Sequence, residues 1–417
     1  MLQRIRGTQD VLDLRPYNRL LELMRQHLAT YNFDEIITPI IEPTELFKRS
    51  LGLHTDVVSK EMYLVTTTHD SEESICLRPE MTASTMRAFF NASVDQRPWR
   101  VFSCGPVFRH ERPQKGRFRQ FSQVNIELIG AESVAFDAEF IAMVDDFFGT
   151  VLRMQNYVLA LNFLGSPADR ENYKTVLNSF LDAQPNLPEK IRERQKTNIL
   201  RIFDLKDEEC QKALENAPVM TDYLCPESQA EWVHLRQLLD QLSVTHIHNP
   251  RLVRGLDYYN KTVFEFVGGN LGAQNALCGG GRYDFLSQTL GERDAVPAIG
   301  VGIGIERLLL SLEGHVQFVI PPRPALTVVI PFSPAQVPLA LLCASEIRAV
   351  GLCCEAFLDG GSIKNMLRKA NKAGAQQVVL IGEDEQANNY VTLKHMVAGT
   401  EEKVGQAELV ARIKRQG

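Results

Sequence analysis

No stretch of the 417 residues approaches the roughly 18–20 consecutive apolar positions that a membrane span needs. The opening Met-Leu-Gln-Arg-Ile-Arg-Gly-Thr has neither the apolar core of a secretion signal nor the Arg- and Ser-rich character of an organelle leader, so a cytoplasmic protein without membrane contact is expected. The eight cysteines (Cys76, Cys104, Cys210, Cys225, Cys278, Cys343, Cys353, Cys354) include no Cys-x-x-Cys and no Cys/His group at zinc spacing. They read as reduced core residues, and a disulfide framework is excluded. His246 and His248 stand i, i+2 without a nearby third ligand, which reads as a loop pair rather than a metal site. Charge of one sign is not in excess either. The 45 Lys+Arg and 51 Asp+Glu leave a net charge of −6, so any nucleic-acid surface must be local. The low hydrophobicity of disordered chains is also missing: 44% of residues are hydrophobic, and the length argues for two or three domains.

What is present is ordered along the chain. Leu20, Leu21, Met24, Leu28 and Tyr31 recur at helical spacing from Arg15 to about Asn32, with Pro16 in the first turn. A β-branched run from Glu35 to Glu42 reads as one strand, and its central Pro39 restricts it to an edge or a bulge because proline cannot donate to a ladder. Further strand-like runs lie at Met62–Val65, Ser74–Leu77, Arg100–Arg109, Phe121–Ile129 and Thr262–Val267, with helices predicted at Met81–Phe90 and Ala135–Met154. This pattern predicts a mixed, mainly antiparallel sheet. Ser166-Pro-Ala-Asp169 is a helix start, and from there to about His248 the sequence reads as a helical insertion. Pro321-Pro-Arg-Pro324 reads as a stiff linker. Beyond it, strands at Leu326–Ile330, Leu352–Leu358 and Gln377–Ile381 alternate with helices at Ala335–Val350 and Ser362–Ala373, which implies parallel βαβ units. Residues 321–417 carry 11 Lys+Arg against 9 Asp+Glu, while the first 320 carry 34 against 42, so the tail is the part better suited to a polyanion.

The densest chemical signal is Val107-Phe-Arg109-His-Glu-Arg112-Pro-Gln114-Lys115-Gly-Arg117-Phe-Arg119-Gln-Phe121-Ser-Gln123-Val-Asn-Ile-Glu127. Five Lys/Arg fall within eleven residues around a Pro-Gln-Lys-Gly tip. Such runs are usually solvated faces. Here Arg109 and Glu127 sit on the strand stems, where a planar guanidinium can grip a phosphate and a carboxylate can be fixed by the sheet. The later Gly300-Val-Gly302-Ile-Gly304 fails the G-x-G-x-x-G spacing of a dinucleotide site, and no Walker lysine is present.

The segment resembles motif 2 of the class II aminoacyl-tRNA synthetases, in the wording of the histidyl-tRNA synthetase family. The helix and strand around Pro39 resemble motif 1, and Ala298-Ile-Gly300-Val-Gly302-Ile-Gly304-Ile-Glu306-Arg307-Leu308 resembles motif 3. Leu252-Val-Arg254-Gly-Leu-Asp257-Tyr258-Tyr259 and Gly279-Gly-Gly-Arg282-Tyr-Asp284 resemble the stretches that set the histidine family apart. The resemblance implies an α+β protein. Residues 1–320 would form the catalytic domain, interrupted by the insertion at about 166–248; residues 321–324 would be the linker, and 325–417 an anticodon-binding domain with a mainly parallel sheet.

It further implies ATP-dependent ligation of L-histidine to tRNA(His). Arg109 would contact the α-phosphate, Arg307 the γ-phosphate, and Arg254 both the α-phosphate and the substrate carboxylate, with Mg2+ accompanying ATP and no separate protein metal site. Arg117 and Phe121 join Arg109 and Arg307 as ATP-binding candidates. Glu80 and Gln123 match residues around the α-amino group, and Glu127 and Tyr259, with Tyr258 alongside, match those around the imidazole. Arg112, Gln114, Lys115 and Arg119 are candidates for gripping the tRNA acceptor end, and Pro39 marks a homodimer interface. Two departures stand out: Met81 replaces an expected glycine beside Glu80, and Ser122 replaces an expected histidine before Gln123. The competing reading is a catalytically silent paralogue serving as the histidine-binding regulatory subunit of a phosphoribosyltransferase. Such a chain would lose the ATP arginines or the tail domain, and this one keeps both.

Overall fold

The computed structural model describes residues 2–415 except 53, 54, 67, 69–73 and 270–275. The chain divides into two compact units, Met1–Ile320 and Pro321–Gly417.

In the first unit, strands β1 (Asp34–Glu35), β2 (Ile41–Pro43), β3 (Tyr63–Val65), β4 (Ile75–Leu77), β5 (Trp99–Phe108), β6 (Gln120–Ile129), β7 (Tyr157–Phe163), β8 (His246–His248), β9 (Asn260–Gly268), β10 (Ala276–Arg282) and β11 (Ala298–Gly304) form two sheets. The large one runs β1-β5-β6-β11-β10-β9-β7-β8 and the small one β2-β4-β3. The six central strands pair antiparallel, and only the short edge strands β1 and β8 pair parallel with their neighbours. The mixed, mainly antiparallel sheet anticipated from the sequence is present.

The single strand expected across Pro39 is not. Pro39 lacks the N–H a ladder requires, and the run splits around it: β1 joins the large sheet, β2 the small one. The histidine pair expected in a loop forms edge strand β8, with His246 and His248 opposite Leu159 and Leu161.

Period-two alternation decides which way the site faces. On β6, Val124, Ile126 and Leu128 point into a core shared with Leu20, Met24 and Leu28 of the Arg15–Thr30 helix and Ile141 and Val144 of the Val134–Asp146 helix. On β11, Ile299, Val301 and Ile303 join the same core. The intervening residues, Gln123, Asn125 and Glu127 on one strand and Gly300, Gly302 and Gly304 on the other, therefore occupy the opposite face in direct register.

Between β7 and β8 lies a mainly helical segment with its own core of Tyr173, Leu177, Leu181, Ile191 and Ile202. Ser166 caps its first helix, Pro167–Asp182, reciprocally with Asp169. Asp169 also accepts from Cys225 N at 2.7 Å and Ser228 Oγ at 2.6 Å, which ties that helix to the last helix of the segment, Pro226–Gln241.

The second unit is a five-stranded sheet of β12 (Leu326–Pro331), β13 (Cys353–Ala356), β14 (Ala375–Ile381), β15 (Tyr390–His395) and β16 (Glu401–Gly405), ordered β13-β12-β14-β15-β16. β12 is parallel to β13 and β14, as βαβ units require, while β15 and β16 add an antiparallel hairpin. The helices Val337–Ala349 and Ile363–Lys372 contribute to cores on opposite faces of the sheet.

Candidate active site

The glycines explain the shape of the site before any ligand is considered. Gly300 lies opposite Glu127 and Gly302 opposite Asn125. A Cβ on Gly300 would overlap Glu127 Oε2, and one on Gly302 would overlap Gln123 Nε2. On β10, Gly279 pairs with Gly302, and a Cβ there would overlap the guanidinium of Arg254. Two adjacent strands thus present bare backbone, and the long polar side chains of neighbouring elements lie flat across it.

Over this floor opens a cleft lined by Glu80, Arg109, Arg117, Phe121, Gln123, Arg254, Tyr258, Tyr259 and Arg307, all singled out from sequence, together with Thr82, Asn125, Arg201 and Glu265, which were not. Arg109 is held by Nε donating to Pro79 O at 2.8 Å, with its guanidinium 5.6 Å from the Phe121 ring centroid. Arg307 lies in the first turn of the Ile305–Ser311 helix after β11, donating from Nε to Gly116 O at 3.0 Å and from Nη1 to Ala276 O at 3.2 Å. Gly116 takes φ +71° at the tip of the basic hairpin, where Gln114 and Arg117 exchange backbone bonds, and a Cβ there would press on Arg307 Cγ at 3.3 Å. Burial, with Arg117 and Arg109 as like-charged neighbours, lowers the Arg307 pKa. Arg109, Arg117 and Arg307 thus stand together at this end of the cleft, with Arg117 paired to Glu111, a cluster whose guanidinium groups suit an anion.

Arg254 donates from Nη1 to Glu265 Oε1 at 3.0 Å and sits 6.0 Å from the Tyr259 ring centroid; its Nε is buried with no hydrogen-bond partner among the described residues. Glu265 projects from β9 opposite Gly279, so the ion pair crosses the glycine floor.

At the other end is a buried polar network. Glu80 accepts from the backbone N–H groups of Thr82 at 2.6 Å and Ala83 at 2.9 Å, capping the Thr82–Asn91 helix. Burial raises its pKa, and these two bonds oppose the rise. Glu127 accepts from Thr82 Oγ1 at 2.6 Å, Asn125 Nδ2 at 2.7 Å and the Tyr283 hydroxyl. Burial nevertheless pushes its carboxyl up to about 8. Glu127 does not itself line the cleft: it lies one layer behind Thr82 and Asn125, 1% exposed. The rings of Tyr258 and Tyr259 lie 4.5 Å apart between centroids, tilted by 48°, with Tyr283 edge-on to both.

Met81 adopts φ −115°, ψ −15°, a conformation open to any L residue, and its side chain is buried beside Ser103 Oγ at 3.2 Å. The backbone beside Glu80 therefore needs no glycine. The backbone N–H of Ser122 donates to the Glu306 carboxylate, and Ser122 is not part of the cleft lining. Arg112, Gln114 and Lys115 are exposed on the hairpin outside the cleft, and Arg119 is half-buried with Nε on Glu111 O at 3.3 Å. Arg282 turns away from the site. It is fully buried and bonded to Asp137 and Asp284, pinning β10 to the Val134–Asp146 helix, so Arg282 itself has a framework role while Gly279 and Tyr283 of the same motif face the site.

Sequence reasoning missed Thr82, Tyr283, Glu265 and Arg201 because each acquires its role through contacts distant in the chain. Asn125 was within reach, since alternation alone puts it between Gln123 and Glu127 on the polar face.

Comparison with known proteins agrees with this architecture. Residues 7–308 match the family model for histidyl-tRNA synthetase, and residues 327–416 match the one for an anticodon binding domain. A histidine–tRNA ligase of Nitratidesulfovibrio vulgaris (strain DP4) is 39% identical, with 100% of this chain and 99% of the relative covered. The solved structure of apo S. aureus histidyl-tRNA synthetase superposes with a TM-score of 0.80 at 30% identity, covering 99% of this chain and 100% of that one. An ATP phosphoribosyltransferase regulatory subunit/histidyl-tRNA synthetase from Bacillus halodurans C shares the fold, at a TM-score of 0.64 and 20% identity over 92% of this chain and 98% of that one. The fold is that of a class II synthetase with a C-terminal α/β unit. With the catalytic family model spanning most of the first unit and a full-length relative at this identity, the chain belongs to the histidyl-tRNA synthetase family.

Proposed function

We propose that this chain joins L-histidine to tRNA(His) in two ATP-dependent steps. The histidine carboxylate attacks the α-phosphorus of ATP, forming a C–O–P mixed anhydride and releasing pyrophosphate. The 3′-terminal ribose hydroxyl of the tRNA then attacks the carbonyl carbon, and AMP leaves. Neither step needs a protein nucleophile. The enzyme contributes alignment and fixed charge.

The observation that carries this reading is the division of one glycine-floored cleft into an arginine end and a buried carboxylate–tyrosine end. Arg109 holds the α-phosphate and Arg307 the γ-phosphate, with Arg117 and Phe121 completing the ATP side. Arg254 spans the α-phosphate and the histidine carboxylate, a task suited to a planar fork with separated donors. Magnesium arrives with ATP on its phosphate oxygens, as part of the substrate. Glu80 and Gln123 receive the ammonium. Tyr258 and Tyr259 wall the imidazole, and Glu127 reaches it either by rotating past Thr82 or through Thr82 and Asn125. Buried groups left unpaired by glutamine or phenylalanine provide the discrimination.

The exposed hairpin residues Arg112, Gln114 and Lys115, with Arg119 at its base, meet the acceptor end of the tRNA. The second unit reads the anticodon, and the exposed Lys364, Arg368, Lys369 and Lys372 of its Ile363–Lys372 helix support a polyanionic partner. Pro39 and its chain neighbours Ile37, Ile40 and Ile41 are exposed, an apolar run that suits a homodimer seam. The working compartment is the cytoplasm. Among the described residues no helix is long and apolar enough to cross a membrane.

The test is charging of tRNA(His) with labelled histidine. Histidine esterified only when ATP is present supports the reading. Histidine binding without charging or adenylate formation would refute it.

A further inference from the structure

Residues 251–259 pass from β8 to β9 without regular structure, yet they carry Arg254, Tyr258 and Tyr259 into the cleft. A segment outside any ladder must have its backbone groups satisfied by other means. Its start is held by Asn249 and by Asn162 of β7, whose Nδ2 donates to Leu252 O at 2.9 Å, while the carbonyls of Gly255 and Tyr259 are met from the helical segment inserted between β7 and β8. Arg170 Nη1 donates to Tyr259 O at 2.8 Å, Arg201 Nη2 to Gly255 O, and Asn198 Nδ2 to Asp257 Oδ1 at 2.8 Å. In return, Arg251 Nη2 reaches back to Glu215 O at 3.0 Å and Ala217 O at 3.2 Å within the insertion. Arg201 is only 6% exposed and forms part of the cleft wall. Its Nε and Nη1 are buried without hydrogen-bond partners among the described residues, and its Nε stands 3.7 Å from Asp204 Oδ2.

We infer that the helical insertion is a positioning element for amino-acid activation itself, with Arg201 and Arg170 as the positioning residues that hold loop 251–259 so that Arg254 and Tyr259 face the substrate. This rests on the reading of Arg254 and Tyr259 given above. Guanidinium groups suit the task because one planar fork can fix a carbonyl's direction as well as its distance, and the alignment of Arg254 depends on the direction of the backbone beside it. An insertion that served only the nucleic acid would have no reason to bury an arginine in the wall of the small-molecule cleft.

The experiment is histidine-dependent pyrophosphate–ATP exchange, without tRNA, for the full chain and for Arg201→Ala, Arg201→Lys, Arg170→Ala and Lys190→Ala. Lys190→Ala removes only the ion pair between Lys190 and Asp207 on the surface of the insertion. We expect the KM for histidine to rise about tenfold or more in Arg201→Ala and several-fold in Arg170→Ala, with a smaller change in kcat. Partial recovery is expected in Arg201→Lys, and no change in Lys190→Ala. Arg170→Ala and Arg201→Lys decide the matter if Arg201→Ala does not fold. Unchanged exchange in Arg201→Ala and Arg170→Ala, with loss confined to tRNA charging, would overturn the inference while leaving the assignment of the cleft intact. No exchange in the unmodified chain would overturn both.

Discussion

Gly300 and Glu127 face each other across β11 and β6, and the carboxylate of one occupies the space where a side chain of the other would stand. The alternating glycines of the Ala298–Gly304 strand are therefore a steric requirement of the polar residues on β6, not a phosphate loop. Gly300→Ala should displace the Glu127 carboxylate from Thr82, Asn125 and Tyr283. Overpacking of this kind costs about 1–3 kcal/mol of stability, which a chain of this size can survive. A thermal melt combined with pyrophosphate exchange should show a folded protein whose kcat/KM for histidine has dropped about 100-fold. An unchanged kcat/KM would contradict the packing argument.

The Glu127 carboxyl should make histidine binding depend on pH. Burial raises it to about 8, so the free protein holds this proton where an exposed glutamate, near 4.3, has lost it. The folded state therefore binds more protons than the unfolded state between those two values, and this group's contribution to stability declines as pH rises through that window. In the direct arrangement, where Glu127 rotates past Thr82 to accept the imidazole N–H, the ionised form is required, so binding expels the proton and affinity should improve from about pH 7 through 8 and level off only well above it, whereas the arrangement through Thr82 and Asn125 predicts no such dependence. Titration calorimetry in buffers of different ionisation enthalpy should detect the released proton, and Glu127→Gln should abolish the release.

Arg254→Ala should nearly abolish adenylate formation. The substitution removes a cation from the reacting end of the cleft and leaves the Glu265 carboxylate there without its partner 3.0 Å away. Loss of one such stabilising group costs about 10²–10³ in rate, and the exposed acid adds repulsion toward phosphate. Arg254→Lys should recover little, because an ammonium cannot present two parallel donors. Single-turnover formation of labelled adenylate, with circular dichroism to verify the fold, is the measurement.

Removing residues 325–417 should separate the two half-reactions. Each unit closes its own hydrophobic core, so the remaining chain should fold. Pyrophosphate exchange should survive within a few-fold. Charging should fall by about 10² or more as the second contact with tRNA is lost. Equal losses in both assays would argue against a separate anticodon module.

The parts legible in the sequence were those written in local pattern. The run Phe121–Ile129 reads as one strand of a hairpin and forms β6, and Ser166-Pro-Ala-Asp169 reads as the start of a capped helix that the structure contains. The run through Pro39 misled because hydrophobic pattern cannot reveal that its two halves belong to different sheets. Strand β10 gave no signal: Gly279-Gly280-Gly281 has no intrinsic preference for extended structure, and pairing on both sides by β9 and β11 imposes it. The hairpin of β15 and β16 extended a sheet that had been expected to be mainly parallel. In the site, the charged residues could be identified from the motifs. Their supports, Thr82 under Glu127, Glu265 under Arg254 and Arg201 against Gly255, depend on contacts between residues 11 to 54 positions apart, which no window of sequence contains.

The most direct test of the central claim is exchange of labelled pyrophosphate into ATP with histidine, glutamine, asparagine or phenylalanine as the only amino acid and no tRNA present. The cleft described here predicts exchange with histidine and background with the other three. Exchange with glutamine or phenylalanine equal to that with histidine would contradict the assignment of the carboxylate–tyrosine end, and no exchange with histidine, in a folded protein that binds it, would contradict catalysis altogether.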